Sequence, residues 1–135
     1  MAEKLGIVVA KFNHEITVEM SKTAQKRAKE LGAKIIKIAE VPGSFEIPFA
    51  AKRLLENKNI DGVVTIGAII KGGTDHDKVI AHSIAKKLLD LSCRYNKPVS
   101  LGVIGPNATW QQAKKRAKDY GKRAVDAVVE MLRKG

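Results

Sequence analysis

The chain has 135 residues, of which 44% are hydrophobic and 29% are charged, so it is long enough to fold as one compact domain with an ordinary core. Its formal net charge of +11 raises the question of a nucleic-acid partner, because clustered lysines and arginines supply most nonspecific affinity for phosphates. Aromatic residues are only 4%, basic residues are mixed with acidic ones, and no nucleic-acid-binding signature is present, so we expect no nucleic-acid partner.

The sequence contains no apolar run that approaches the roughly 20 residues needed to span a bilayer. Met1 to Lys4 are followed at once by a strand pattern, which does not resemble a secretory signal. We therefore expect a cytoplasmic protein without a membrane partner. The single cysteine, Cys93, lies in an apolar helical pattern and is expected to be buried and unreactive.

Four short apolar runs rich in β-branched residues predict four strands. They span residues 5–10, 34–41, 63–70 and 99–104. The third run is almost continuously apolar, which is typical of a strand buried on both faces. It is followed by Gly72 and Gly73, so the strand should end in a turn.

A helical pattern follows each strand. The first helix is predicted over residues 16–31, and Gly32 stands where a terminating glycine belongs. Ser44 is a candidate N-cap for the second helix, and Pro48 is tolerable because an early helix position has no hydrogen-bond partner to lose. This helix should end near residues 57–59.

The third helix is predicted from about residue 77 to 95, with Val79 on its buried face. The last helix begins at a capping box, in which Thr109 is the N-cap and Gln112 reaches back to it. Gly121 predicts an interruption within this helix, because glycine is a poor helix former.

Four strand patterns, each followed by a helix, predict a parallel sheet built by right-handed crossovers. We therefore predict one domain over residues 1–135, of the α/β class, with a three-layer α/β/α architecture. In it a four-stranded parallel sheet is flanked by helices on both faces. The sequence shows no repeat, no low-complexity linker and no second domain.

Chemically useful residues follow the predicted strands. They lie in residues 11–13, 42–46, 71–76 and 105–107. Because the carboxyl ends of parallel strands meet at one edge of a sheet, we expect these segments to converge on a ligand. A glycine turn before a helix is typical of anion binding. No segment matches a Walker A loop, a dinucleotide fingerprint or a metal-ligand spacing, so we expect no metal.

Two residues of these segments have alternative interpretations. Phe12 is either a platform for a ligand ring or a side chain that packs over the following helix. His76, beside the glycine turn, is either a general acid or base or a polar residue in the first turn of a helix. The residue pattern alone leaves both questions open.

Three motifs together resemble a known family. They are Phe12-Asn13, the run Val-Pro-Gly-Ser-Phe-Glu-Ile-Pro at residues 41–48, and the run Gly-Ala-Ile-Ile-Lys-Gly-Gly-Thr-Asp-His at residues 67–76. In order and spacing they resemble the 6,7-dimethyl-8-ribityllumazine synthase family over nearly the whole chain. Gly105-Pro106 and the run at residues 119–124 are most similar to its archaeal branch.

The resemblance implies a flavodoxin-like fold and the penultimate step of riboflavin biosynthesis. In that step 5-amino-6-ribitylaminouracil condenses with 3,4-dihydroxy-2-butanone 4-phosphate, and phosphate and water are released. It implies no cofactor. Members of the family are pentamers or 60-subunit shells of pentamers with active sites between subunits, so we expect a homo-oligomer that acts on small-molecule substrates.

The resemblance also implies a set of site residues. The substrate-binding positions that match are Phe12, Asn13, Ser44, Phe45, Glu46, Ile69, Ile70, Lys71, Gly73, Thr74, Leu101, Arg116 and Arg123. Phe12 is expected to stack on the heteroaromatic ring, and Gly73 and Thr74 to hold the phosphate. His76 matches the proposed proton-transfer residue, and Arg116 matches an arginine that closes on phosphate from a neighbouring subunit.

Some positions depart from the commoner pattern of the family. Leu101 stands where an aromatic residue of the adjacent subunit often flanks the ring. Either Lys122 or Arg123 fills a second basic position, and we favour Arg123. Asp75 would repel a phosphate, so it should face solvent or His76.

The nearest rival interpretation is an archaeal-type riboflavin synthase, which dismutates two lumazine molecules. The glycine turn and Arg116 favour a phosphorylated substrate instead. A rival of another class is a non-catalytic assembly that binds a flavin or an anion.

Overall fold

A computed structural model of the chain describes residues 2–73 and 75–134. Strands and helices alternate, as the sequence predicts. The elements are β1 (Lys4–Ala10), α1 (His14–Glu30), β2 (Lys34–Val41), α2 (Ile47–Leu55), β3 (Gly62–Ile70), α3 (His76–Tyr95), β4 (Val99–Ala108) and α4 (Trp110–Lys134), with a 3-10 turn at Ser44–Glu46 before α2.

The four strands form one parallel sheet in the order β2-β1-β3-β4. Residues 62–69 of β3 are all buried, so the prediction of a strand covered on both faces is confirmed. The β3 strand pairs with β1 on one side, where Val8 lies opposite Thr65, and with β4 on the other. The carboxyl ends of β1 and β3 are therefore neighbours.

Helices cover both faces of the sheet, which confirms the predicted three-layer α/β/α architecture. Alternate residues of β1 supply the two core layers. Ile7 and Val9 belong to the layer under α1 and α4, whereas Val8 and Ala10 belong to the layer under α2 and α3. Each helix packs an apolar stripe on the sheet and leaves most of its charged residues outside. Across residues 2–73 and 75–134, no helix combines the length and the apolar character that a bilayer crossing requires.

The end of α1 follows its sequence signal. Gly32 adopts a left-handed conformation with φ of 76°, which glycine reaches without a steric penalty. Its N–H donates to the carbonyl of Lys29, and the N–H of Ala33 donates to the carbonyl of Ala28 at 2.9 Å. These two bonds close a Schellman motif and satisfy carbonyls at the helix end.

The capping predictions have mixed outcomes. At α4, the Gln112 N–H donates to the Thr109 hydroxyl and the Thr109 N–H donates to Gln112 Oε1 at 3.0 Å, so that capping box is confirmed. Ser44 as an N-cap is wrong. The 3-10 turn at Ser44–Glu46 is instead capped one residue earlier, at Gly43, whose N–H donates to Oε1 of Glu46 at 2.9 Å.

The predicted interruption of the last helix is also wrong, because α4 runs unbroken from Trp110 to Lys134. Gly121 is needed there for packing. A Cβ at this position would collide with the carbonyl oxygen of Met20, so the missing side chain lets α4 lie directly against the backbone of α1. An ion pair from Arg27 Nε to Asp126 Oδ1 at 2.6 Å joins the same two helices.

Three further expectations fail for identifiable reasons. The strand β4 continues past residue 104 to Ala108, because it resumes pairing with β3 at Ile70 after a shift in register. Val79 is 64% exposed, and Cys93 is exposed as well. Only a narrow stripe of α3 reaches the core, through Ala81, Ile84, Leu88 and Leu91, so the apolar pattern of this helix is wider than its buried face.

The close approach of α1 and α4 gives a first prediction. Gly121→Ala should lower the free energy of unfolding by about 1–3 kcal/mol, because overpacking against the Met20 carbonyl outweighs the gain of about 1 kcal/mol in helix propensity. Urea unfolding would measure this change. Gly73→Ala is the control, since a Cβ there meets nothing within 4 Å. A stabilised Gly121→Ala variant would contradict the packing role.

Candidate active site

A cavity of about 330 Å³ opens where β1 and β3 end and α3 begins. Its lining comes from three segments of the chain that are far apart in sequence, at residues 12–13, 43–45 and 68–80. The lining residues are Phe12, Asn13, Gly43, Ser44, Phe45, Ala68, Ile69, Ile70, Gly72, His76, Asp77 and Ile80. The fold thus brings seven of the predicted site residues to one place: Phe12, Asn13, Ser44, Phe45, Ile69, Ile70 and His76.

Two aromatic rings lie at the rim of this cavity. Phe12 is 71% exposed and Phe45 is 70% exposed, so neither ring packs into the core of its own chain. The inner wall is apolar, with Ala68 and Ile69 largely buried. Exposed aromatic side chains around an apolar pocket are typical of a binding site for a flat ligand.

Asn13 holds the segment that carries Phe12. Its backbone is left-handed, with φ of 62°, a conformation that asparagine tolerates better than most residues. Its side-chain Nδ2 donates to the Ala68 carbonyl at 2.7 Å, and its own carbonyl accepts the N–H of Ile16 at the start of α1. The predicted substrate contact of Asn13 stays a prediction, whereas its structural contact fixes Phe12 relative to β3.

Ser44 reaches the cavity because of a glycine on the facing strand. A Cβ at Gly67 would lie 2.7 Å from the Ser44 Oγ, so any side chain on that residue of β3 would push the serine away. The glycine therefore makes room for a hydroxyl group beside the floor of the cavity. Sequence reasoning named Ser44 but gave it the wrong structural role.

Within the described chain, neither a packing contact nor the backbone conformation requires a glycine at residue 72 or 73. A Cβ at Gly72 or Gly73 would meet no atom within 4 Å, and neither residue has a left-handed φ. Both residues are exposed. Thr74, the third predicted residue of this turn, lies outside the described residues. Glycines without such a need are suited to a turn that a ligand approaches closely.

His76 is the first residue of α3, exposed at the cavity wall. Asp75, before it, points into solvent as expected, with its Oδ1 3.8 Å from Lys78 Nζ. Asp77, after it, is buried, and its Oδ2 accepts the N–H of Asn107 at 3.0 Å. That hydrogen bond holds the pKa of the Asp77 carboxyl below its usual range.

Sequence reasoning gave Asp77 no role. An acidic residue in the first turn of a helix is an available signal, because it complements the helix dipole. Its partner Asn107 is 30 residues further along the chain, on the irregular end of β4. Nothing in the local sequence of either residue reveals that contact.

Three predicted site residues from the same sheet edge, Glu46, Lys71 and Gly73, do not line the cavity. The Glu46 carboxylate turns back to the Gly43 N–H, as described above. Lys71 is exposed, and its backbone N–H donates to the Ala108 carbonyl at 2.8 Å. Their predicted contacts with substrate stay predictions.

The remaining predicted residues lie elsewhere on the chain. Leu101, 49% exposed, and Arg123 line a separate depression of about 690 Å³ between β4 and α4. Arg123 also pairs with Asp119 at 3.5 Å, and Arg116 is exposed on α4 without lining the cavity. Among the described lining residues of the cavity there is no lysine or arginine.

Over residues 2–73 and 75–134, no group of three or more histidine, cysteine, aspartate or glutamate side chains is arranged to hold a metal ion. The polar groups that the cavity offers are therefore an imidazole, a hydroxyl, an amide and the Asp77 carboxylate. Such groups suit proton transfer and hydrogen bonding to a polar ring.

Comparison with known proteins agrees with the family resemblance that the sequence motifs indicate. The sequence matches the family model described as 6,7-dimethyl-8-ribityllumazine synthase over residues 2–134. Among proteins with that name, those of Metallosphaera sedula and Methanopyrus kandleri are 53% and 52% identical over 131 residues. These alignments cover 97% of this chain and 87% and 92% of the relatives. The protein of that name from Methanocaldococcus jannaschii is 48% identical over 130 residues, which are 96% of this chain and 92% of the relative.

The double role of Asn13 gives a second prediction. Asn13→Gly loses only the hydrogen bond to Ala68, which should lower the free energy of unfolding by about 0.5–1.5 kcal/mol. Asn13→Ala loses the same bond and also forces an alanine into the left-handed region, which should lower it by roughly 1–2 kcal/mol more. Urea unfolding should therefore rank the alanine variant as the less stable.

Asn59 provides the matched control for this comparison. It is exposed and its φ is not positive, so alanine should be at least as stable as glycine at this position. The same ranking at both positions would show that the left-handed backbone of Asn13 is not the cause.

Proposed function

The chain belongs to the 6,7-dimethyl-8-ribityllumazine synthase family, and on that premise we propose how its own residues carry out the family's reaction. The protein condenses 5-amino-6-ribitylaminouracil with 3,4-dihydroxy-2-butanone 4-phosphate to give 6,7-dimethyl-8-ribityllumazine, phosphate and water. The predicted resemblance is confirmed. The observation that carries the proposed mechanism is the single cavity that holds an exposed aromatic ring, an apolar wall and His76.

The cavity is suited to the flat pyrimidine. Phe12 stacks on the ring from the rim, and Ile69 and Ile70 supply the apolar wall against which it lies. Ser44 offers a hydroxyl for the polar edge of the ring, and Phe45 covers the ribityl chain. The exposure of both phenyl rings and the room that Gly67 leaves for Ser44 support this arrangement.

The phosphate of the ketone binds at Gly72 and Gly73. Two observations support this: neither glycine is required by packing or by φ, and the turn leads into the N-terminus of α3. Backbone N–H groups at a helix N-terminus are suited to an anion, and a residue without a Cβ lets them approach it closely.

His76 carries protons between the steps of the reaction. Imine formation, loss of phosphate and ring closure each move a proton, and an imidazole titrates near neutral pH. Its place at the cavity wall, at the first residue of α3, supports this role. Holding the two substrates together supplies much of the remaining acceleration, on the order of 7–11 kcal/mol in well-oriented systems.

A second copy of the chain completes the site. A phosphate group needs a cation nearby, yet the described cavity lining contains no lysine or arginine. We propose that Arg116 of a neighbouring copy closes on the phosphate, that its Leu101 flanks the ring, and that its Arg123 is the second basic residue. The separate depression beside β4, which holds Leu101 and Arg123, supports this. The assembly is a pentamer or a 60-subunit shell of pentamers.

We also propose that the enzyme works in the cytoplasm. The ribityl-bearing pyrimidine and the phosphorylated ketone are both strongly polar, so neither crosses a bilayer unaided. The enzyme must therefore be in the compartment in which they are made.

The activity gives a third prediction. Purified protein given the two substrates should develop lumazine absorbance, and His76→Ala should lower kcat by about 10²- to 10⁴-fold, because it removes the proton carrier. His82→Ala is the matched control, since His82 is an exposed histidine on the same helix. Product formation from lumazine itself, with none from the two substrates, would favour the riboflavin synthase alternative and overturn the proposal.

The shared site gives a fourth prediction. His76→Ala and Arg116→Ala subunits refolded together should recover activity, because about one site in four then combines an intact His76 with an intact Arg116 from the next copy. Each variant refolded alone stays nearly inactive. Light scattering would establish that mixed oligomers had formed, and inactive mixed oligomers would show that Arg116 is not supplied by a neighbour.

A further inference from the structure

Asp77 is the one acidic residue among the described residues that line the cavity, and the proposed reaction leaves it without a role. The residue is 6% exposed. A buried carboxylate beside a phosphate site is unfavourable unless something else requires it. Its contacts indicate what that requirement is.

The Asp77 carboxylate joins α3, whose first turns line the cavity, to β4, which lies beside the cavity wall. Oδ2 accepts the backbone N–H of Asn107 at 3.0 Å, across a gap of 30 residues. The backbone N–H groups of Lys78 and of Asp77 itself also form hydrogen bonds with this carboxylate, and they lower its pKa further. The charge of Asp77 is thus directed to the backbone of β4 and to the first turn of α3.

The segment that Asp77 holds is an irregular part of β4. Gly105 and Asn107 both have positive φ, at 117° and 65°, and the pairing of β3 with β4 shifts register between Ala68 and Ile70. A Cβ at Gly105 would lie 2.6 Å from the carbonyl oxygen of Ile69. This end of β4 therefore lies directly against the strand that forms the apolar wall.

We propose that Asp77 is a positioning residue for the reaction: its carboxylate fastens the end of β4 to the first turn of α3 and so sets the distance between His76 and the Ile69 wall. The inference rests on the proposed function, in which His76 transfers protons to a ring bound against Ile69. Asp77 itself touches neither reacting group in this role. Its effect reaches the chemistry through Asn107 and the backbone of β4.

A carboxylate suits this task better than a neutral group. A hydrogen bond to an ionised acceptor is roughly twice as strong as one between neutral groups. An acidic residue in the first turn also stabilises α3 through the helix dipole. Asparagine keeps an acceptor oxygen of the same reach, so it should preserve most of the connection, whereas alanine removes it altogether.

The experiment compares Asp77→Ala with Asp77→Asn in the assembled enzyme. Asp77→Ala should lower kcat by about 10²-fold, which is the effect of a displacement of about 1 Å between reacting groups. The KM for the ketone phosphate should change little, because the glycine turn that binds the phosphate precedes the helix. Asp77→Asn should recover most of this loss. Asp90→Ala is the matched control, since Asp90 is an exposed aspartate on the same helix.

A second measurement does not depend on activity. Hydrogen exchange at the Asn107 amide should be faster in Asp77→Ala and close to wild type in Asp77→Asn. If Asp77→Ala does not fold, Asp77→Ser replaces it, because the serine hydroxyl is too short to reach Asn107 and should give the same loss of kcat.

Two outcomes would overturn the proposal. If Asp77→Ala exchanges faster at Asn107 but keeps the wild-type kcat, the connection exists without positioning the site. If the kcat of Asp77→Asn is as low as that of Asp77→Ala, the reaction depends on the negative charge of Asp77 and not on its hydrogen bond to β4. A wild-type enzyme without turnover would instead overturn the proposed function, while the exchange measurement would still test the contact between Asp77 and Asn107.

Discussion

The fold depends on one constraint on β3. Side chains cover both faces of this strand, so its backbone must form hydrogen bonds along both edges. Because eight successive residues of this strand are buried, its backbone N–H and C=O groups need partners within the protein, and β1 and β4 supply most of them. That requirement places β1 and β3 side by side and in parallel. Their carboxyl ends then bring Phe12 and Ile69 to the same cavity, which is thus a consequence of how the central strand is buried.

The sequence predicted the parts of the protein that local signals determine. The β2 strand was predicted with the bounds 34–41 that the structure has, because β-branched residues and a following Pro-Gly pair define it. Gly32 ended α1, and Thr109 with Gln112 started α4, because these capping interactions involve only neighbouring residues. Seven of the predicted site residues converge for a related reason: each lies at or soon after the carboxyl end of a strand whose direction the parallel sheet sets.

Several features that local signals do not reveal depend on contacts between distant parts of the chain. Gly121 is a poor helix former by local rules, yet here it serves the packing of α4 on α1, which only the tertiary structure reveals. The bond between Asp77 and Asn107 joins residues of two different elements in the same way. Leu101, Arg116 and Arg123 do not reach the cavity of their own chain, and a single sequence contains no geometry for a second copy.

The contact of α1 with α4 also determines when the chain can fold during synthesis. The buried face of α1, around Met20 and Ala24, packs against a helix whose matching residues follow about a hundred positions later, as the 99-residue separation of Arg27 and Asp126 illustrates. Until that last helix leaves the ribosome, this apolar face lacks the cover that α4 provides, and the nascent protein exposes part of it to other chains and to chaperones. A topology rich in such long-range contacts also slows folding after release. The core layer that α1 and α4 share is therefore completed only after α4 has been synthesised.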